Sequence, residues 1–106
     1  MEKLKGSKLI AGKLYTFFGK NNREVWPLFS KRPTRSTHYS VVANLWPLEP
    51  FVFLERLASD YRQDDYDKLY DYKILTTKGE VLWLNIHDDD LEASGIGFRE
   101  FGEDLL

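Results

Sequence analysis

The chain has no cysteine. That single absence removes disulfides, thiolate nucleophiles and cysteine-based zinc sites. Secreted domains of this size are often stapled by disulfides, so the lack of them predicts a reducing, cytoplasmic setting. Histidine is scarce too, with only His38 and His87. No Gly-x-Ser-x-Gly elbow, phosphate loop or dinucleotide fingerprint occurs. The paired carboxylates fall in loop-like stretches, and glycosidase chemistry would need a cleft that so short a chain can hardly build. No apolar run approaches the ~18 residues that span a membrane, so no membrane partner is expected. The start, Met1 to Lys5, is not followed by an apolar stretch, and no signal peptide is expected. These absences argue against an enzyme and predict no cofactor and no metal.

What remains is the composition of a globular domain. The 106 residues are 42% hydrophobic and 15% aromatic, enough for one core and too apolar for disorder. Charge is laid out unevenly. Residues 1–40 hold nine Lys or Arg against two acids, a net of +7, and residues 41–106 carry a net of −9. The asymmetry fits a nucleic-acid partner for the basic half. The preferred reading is two halves that lie side by side and neutralise each other.

Strand signals recur at short intervals. The segment Lys8 to Phe18 reads as a strand with a bend or bulge at Gly12. Gly19 to Asn22 reads as a turn, and Glu24 to Phe29 as a second strand that Pro27 confines to an edge or a bulge. Ser30 to His38 reads as an exposed loop. Tyr39 to Trp46 is a third strand, followed by a turn bracketed by Pro47 and Pro50. Phe51 to Leu57 alternates, with Phe51, Phe53, Glu55 and Leu57 on one side and Val52, Leu54 and Arg56 on the other.

Ala58 to Asp71 is a long charged stretch dotted with tyrosine, with a short helix predicted over Asp64 to Leu69. The clearest element is a hairpin, Tyr72 to Thr77 and Glu80 to Ile86, joined through Lys78 and Gly79. Asp88 to Glu92 reads as one helical turn. The organisation expected is one domain over 1–92 and a C-terminal tail over 93–106 that straps the barrel or contacts a partner.

The order Gly12-Lys13-Leu14-Tyr15, Phe51-Val52-Phe53-Leu54-Glu55, Tyr72-Lys73-Ile74-Leu75, Lys78-Gly79, Val81-Leu82-Trp83-Leu84 and a closing turn at Asp88 to Glu92 resembles a Src-homology-3-type small β-barrel. It is similar in particular to short accessory proteins of that shape encoded by tailed phages. The resemblance covers about residues 8–92 and implies a mainly β fold, a small barrel of five to six antiparallel strands with a short helical turn. It departs from the family at Leu82, where a glycine usually precedes the tryptophan, and in the longer segment from Val25 to Leu48. The segment 58–71 lacks the signature of proline-peptide binders, so that recognition is not carried over. A phage source would place the chain in the host cytoplasm with a host protein as partner.

Two segments carry candidate partner-binding residues. The acidic tyrosine stretch offers Tyr61, Tyr66, Tyr70, Tyr72, Asp64 and Asp65 as a protein-binding face, since tyrosine buries area at small entropic cost. In the resembled barrels a loop in this place borders the ligand groove. The basic stretch offers Lys31, Arg32, Arg35 and Tyr39, with Lys20 and Arg23 nearby, to phosphates and stacked bases of a nucleic acid. Either segment reads equally as a solvated loop.

His87-Asp88-Asp89-Asp90 carries metal-ligand types, but consecutive residues on a turn point apart, and a capped turn is expected. Of Trp26, Trp46 and Trp83, the last is expected in the core, and one of the other two is expected to be exposed. The expectation is therefore a non-catalytic protein-interaction module. A nucleic-acid-binding protein and a structural virion subunit are the alternatives, and the oligomeric state is left open.

Overall fold

The computed structural model describes residues 4–18, 25–33, 41–59, 69–92 and 96–102. Seven strands make one antiparallel sheet: β1 (Leu14–Phe18), β2 (Trp26–Phe29), β3 (Val41–Leu45), β4 (Phe51–Ala58), β5 (Leu69–Leu75), β6 (Val81–His87) and β7 (Gly97–Glu100). Their spatial order is β3-β2-β6-β5-β4-β1-β7. A 3-10 turn over Gly6–Lys8 precedes β1, and a short helix α1 (Asp88–Glu92) follows β6. The fold is mainly β, as expected, with more strands than the five or six read from the sequence.

The sheet curls into a half-barrel whose concave face is filled by aromatic rings. β1 and β2 do not pair, yet Trp26 of β2 stacks on Phe17 of β1 at 4.0 Å and meets Phe98 of β7 edge-on at 5.5 Å. Side chains thus close what backbone hydrogen bonds leave open. Tyr15, Phe51, Phe53, Tyr72, Ile74, Leu84 and Phe98 complete the core, each no more than 5% exposed.

The β5–β6 hairpin is as its sequence predicts. Its register runs from Leu69 opposite His87 to Leu75 opposite Val81. Gly79 takes φ 79°, and its N–H bonds the Thr76 carbonyl at 3.0 Å. Tyr72 and Ile74 face Leu84 and Leu82 on the buried side. Trp83, expected in the core, lies instead half-buried on the outer side. It stands opposite Lys73, whose ammonium is 5.9 Å from the ring centroid.

Three further expectations are corrected. The strand read from Lys8 begins only at Leu14, because Gly12 adopts φ 89° in a turn. Its N–H then bonds the Phe53 carbonyl at 2.8 Å. In β4, Phe53 faces Ile74 while Glu55 faces Lys73, so Leu54 is an extra residue. That bulge resets the alternation and turns Arg56, not Glu55, to the same side as Tyr72. Thirdly, the stretch read as an exposed loop is partly internal: Pro33 is fully buried and Arg32 half-buried.

Pro27 pairs with Asn44 of β3 and has no β6 residue in register with it. Strand β2 meets β6 only at Phe29 opposite Trp83, and a register shift on the β3 side makes Val42 the extra residue there. After β3, Leu48 takes φ 68° and donates its N–H to the Phe17 carbonyl at 2.9 Å, which ties this turn to β1. The turn read at 19–22 lies outside the described residues, and so does nearly all of the helix read at 64–69. Its last residue, Leu69, opens β5.

The segment after α1 is part of the sheet. Strand β7 pairs with β1, from Tyr15 opposite Glu100 to Phe18 opposite Gly97, and Phe98 is 0% exposed. Leu4 closes the other edge of β7 through backbone bonds to Phe98 of 2.7 and 3.4 Å. The described part of the segment after residue 92 thus packs on the barrel. Replacing Phe98 by alanine is expected to cost about 3–5 kcal/mol in denaturant unfolding. A change within ~0.5 kcal/mol, the range of surface substitutions, would mean that β7 does not share the core.

Candidate functional site

In β5 the sequence Tyr70-Asp71-Tyr72 alternates by the pleat, so the two tyrosines share one side and the carboxylate takes the other. This stretch and Ala58–Ser59 of the preceding strand form the stem of the 58–72 segment. Ser59 N–H bonds the Leu69 carbonyl at 3.0 Å, and Ala58 faces Tyr70 in register. An arginine fastens this stem on each side of the sheet.

On the outer side, Asp71 is 0% exposed. Arg32 Nε donates to Asp71 Oδ2 at 2.8 Å, and Asn85 Nδ2 donates to Oδ1 at 2.7 Å. Arg32 also donates through Nη2 to the Ala58 carbonyl. A buried carboxylate is tolerated only when its charge and lone pairs are met in this way. The pair draws the first residues of the basic segment onto the base of the acidic one. Here the basic and acidic halves of the chain do lie side by side.

On the concave side, Arg56 Nε donates to the Tyr72 hydroxyl at 3.1 Å, and Nη2 donates to both carboxylate oxygens of Asp88 at 3.2 and 3.3 Å. The guanidinium lies over the Tyr70 ring, 3.5 Å from its centroid, in cation–π geometry. Burial works against the Arg56 charge, but the Tyr72 hydroxyl and Asp88 outweigh it and hold the group above its ordinary pKa. Burial pushes the Tyr72 hydroxyl above the usual tyrosine value, against the opposing bond from Arg56. Gly6 makes this packing possible. A Cβ there would collide with the Tyr72 hydroxyl and come within 2.8 Å of Cζ.

The candidate residues read from the sequence divide accordingly. Tyr61, Tyr66, Asp64 and Asp65 lie outside the described residues, as do Lys20, Arg23, Arg35 and Tyr39. Tyr70 is half-buried under Arg56. Tyr72 has no exposed surface and is a core residue, so it offers a partner nothing directly. Arg32 is engaged with Asp71, with its side chain 36% exposed, and Lys31 is exposed.

His87 and its acidic neighbours do not all converge: His87 Nδ1 lies 3.7 Å from Asp89 Oδ2, but Asp88 turns the other way. The same Nδ1 accepts the Asp89 N–H at 3.1 Å, whereas Asp88 pairs with Arg56. Among the described residues no three histidine or acidic side chains cluster as metal ligands would. None of the helices among these residues is long and apolar enough to cross a membrane.

A second feature lies at the β3 end of the sheet. Val41, Val42, Trp46 and Leu48 are 54%, 52%, 56% and 45% exposed. Strand β3 carries no charge and no proline, the usual guards of a sheet edge. Sequence reasoning did not single out this group. Its signal was the pair Val41–Val42, which breaks strict alternation, together with a tryptophan before proline.

Comparison with known proteins finds no matching family model, no matching curated protein and no matching solved structure.

Two predictions follow from the paired arginines. Arg32→Met leaves Asp71 buried without its countercharge and is expected to cost about 2–4 kcal/mol, discounted for the partial exposure of Arg32. Adding Asp71→Asn should recover part of that loss in urea unfolding, and equal stability of the single and double variants would contradict the pairing. The second concerns alkali. The folded-state pKa of Tyr72 is raised, so its contribution is complete below the unfolded value, about 10, and is lost as pH rises through the folded value. Ultraviolet titration should show one tyrosine ionising late, together with unfolding. Tyr72→Phe should remove that late component.

Proposed function

We propose that the chain is a non-catalytic protein-interaction module on a small β-barrel. The observation that carries this reading is the exposed apolar group Val41, Val42, Trp46 and Leu48 at the β3 end of the sheet. Keeping four large apolar side chains about half exposed, on an end strand without charges, opposes solubility and is useful chiefly for docking. Backbone groups on an end strand also suit a partner that adds an extended segment, with the side chains supplying specificity.

The chemistry supports binding over catalysis. The ionisable groups at the loop stem are held in pairs, Arg32 with Asp71 and Arg56 with Asp88, as structural networks are. The resemblance to Src-homology-3-type barrels, and to short accessory proteins of tailed phages, supports the same reading. It suggests a host protein as the partner and the host cytoplasm as the place. The acidic tyrosine segment, with Tyr61, Tyr66, Asp64 and Asp65, is the second surface proposed for a partner. The nucleic-acid reading is less favoured, because Arg32 is already paired with Asp71.

The test compares capture of binding proteins by the wild-type chain, by Val42→Lys with Trp46→Ser, and by Tyr61→Ala with Tyr66→Ala. The β3-end variant should stay folded, because both positions are exposed, and should lose a specific partner by at least about tenfold, the 1.4 kcal/mol that one buried apolar anchor supplies. Undiminished capture by that variant would move the interface elsewhere. Capture lost only in the tyrosine variant would assign it to the 58–72 segment.

A further inference from the structure

A shallow cleft lies between the 3-10 turn, β4 and α1. Lys5, Gly6, Ser7, Arg56, Asp88 and Leu91 line it around a volume of about 40 Å³. Pockets for drug-sized molecules hold roughly 300 Å³ or more. This one has room for a small ion or the end group of a larger molecule.

Its walls hold unused donors. Arg56 places Nε on Tyr72 and Nη2 on Asp88, and Nη1 has no partner among the described residues. The Tyr72 oxygen accepts from Arg56, but its own proton meets no acceptor among those residues, although the side chain is 0% exposed. That hydroxyl sits against Gly6 and Arg56, two residues of the cleft wall. Lys5 and Ser7 are exposed at the same rim and add an ammonium and a hydroxyl. Asp88 is the one acid in the lining, and both of its oxygens already accept from Arg56. The lining therefore has one positive charge in excess, and the free hydrogen-bonding capacity on its side chains is largely that of donors.

We infer that this cleft binds a small oxyanion, a carboxylate or phosphate group. Lys5 supplies a point charge, and Arg56 Nη1 and Ser7 donate to the anion's oxygens, while the Tyr72 hydroxyl, behind Gly6, helps hold the Arg56 guanidinium in place. The site does not depend on the β3 end and stands or falls separately from the interaction reading.

The experiment titrates the 15N-labelled full chain with inorganic phosphate and, separately, with acetate, followed by NMR. Sodium chloride at matched ionic strength is the control. Saturable shifts are expected at the Gly6 and Ser7 amides and at the Arg56 Nε–H. Lys5→Ala and Ser7→Ala, both exposed and remote from the core, should each weaken binding by about three- to tenfold. Saturation by phosphate alone assigns a phosphate ligand, by acetate alone a carboxylate, and by both a general oxyanion site. Shifts no larger than those in chloride, or binding unchanged in both variants, would overturn the inference.

Discussion

The half-barrel depends on a contact between strands that share no hydrogen bonds. Trp26 of β2 and Phe17 of β1 stack across the concave face, and Phe98 of β7 meets the same indole edge-on. An open antiparallel sheet buries one face only if something folds that face onto itself. Here aromatic rings from opposite ends of the strand order do so. Their burial drives the curl, and the turn at Leu48, bonded to the Phe17 carbonyl, ties the β3 end of the sheet to β1. Once the ends are brought in, Tyr72, Phe53 and Phe51 pack beneath them with tilted or edge-on rings.

That closure decides which surfaces are left for function. The two ends of the sheet are treated differently. Strand β7 is bridged by Leu4 at Phe98 and bears Arg99 and Glu100, with Leu14 and Phe101 44% exposed beside it, whereas β3 carries no charge and is rimmed by exposed apolar side chains. The stem of the 58–72 segment is held by the Arg32–Asp71 ion pair on one side and by Arg56, against Tyr70 and Tyr72, on the other. The concave-side arginine serves two purposes. It donates to the Tyr72 hydroxyl within the core and lines the cleft beside the N-terminal turn.

Local features of this fold were legible in the sequence, and the non-local ones were not. The Lys78–Gly79 hairpin could be read because turn chemistry and alternation act over a dozen neighbouring residues. The helical turn at Asp88 was readable for the same reason. Exposure of one tryptophan before proline was also foreseeable, and it is Trp46, at 56%. The side taken by Arg56 was hidden, since a one-residue bulge at Leu54 leaves no mark in a continuous apolar run. The burial of Asp71 was hidden because its countercharge lies 39 residues earlier in the chain. Tyr72 was grouped with surface tyrosines by composition, although its place in the Tyr-Asp-Tyr alternation, next to the best hairpin, was a sign of burial. Strand β7 looked like a glycine-loosened tail because its partner is the first strand, far away in sequence.

The most direct test of this account is a ring-to-ring nuclear Overhauser measurement on the intact chain. Cross-peaks from the Trp26 indole to both Phe17 and Phe98 are predicted, together with slow amide exchange along β1 and β7. An indole that shows contacts only within β2 and β3 would contradict a sheet closed by its aromatic side chains.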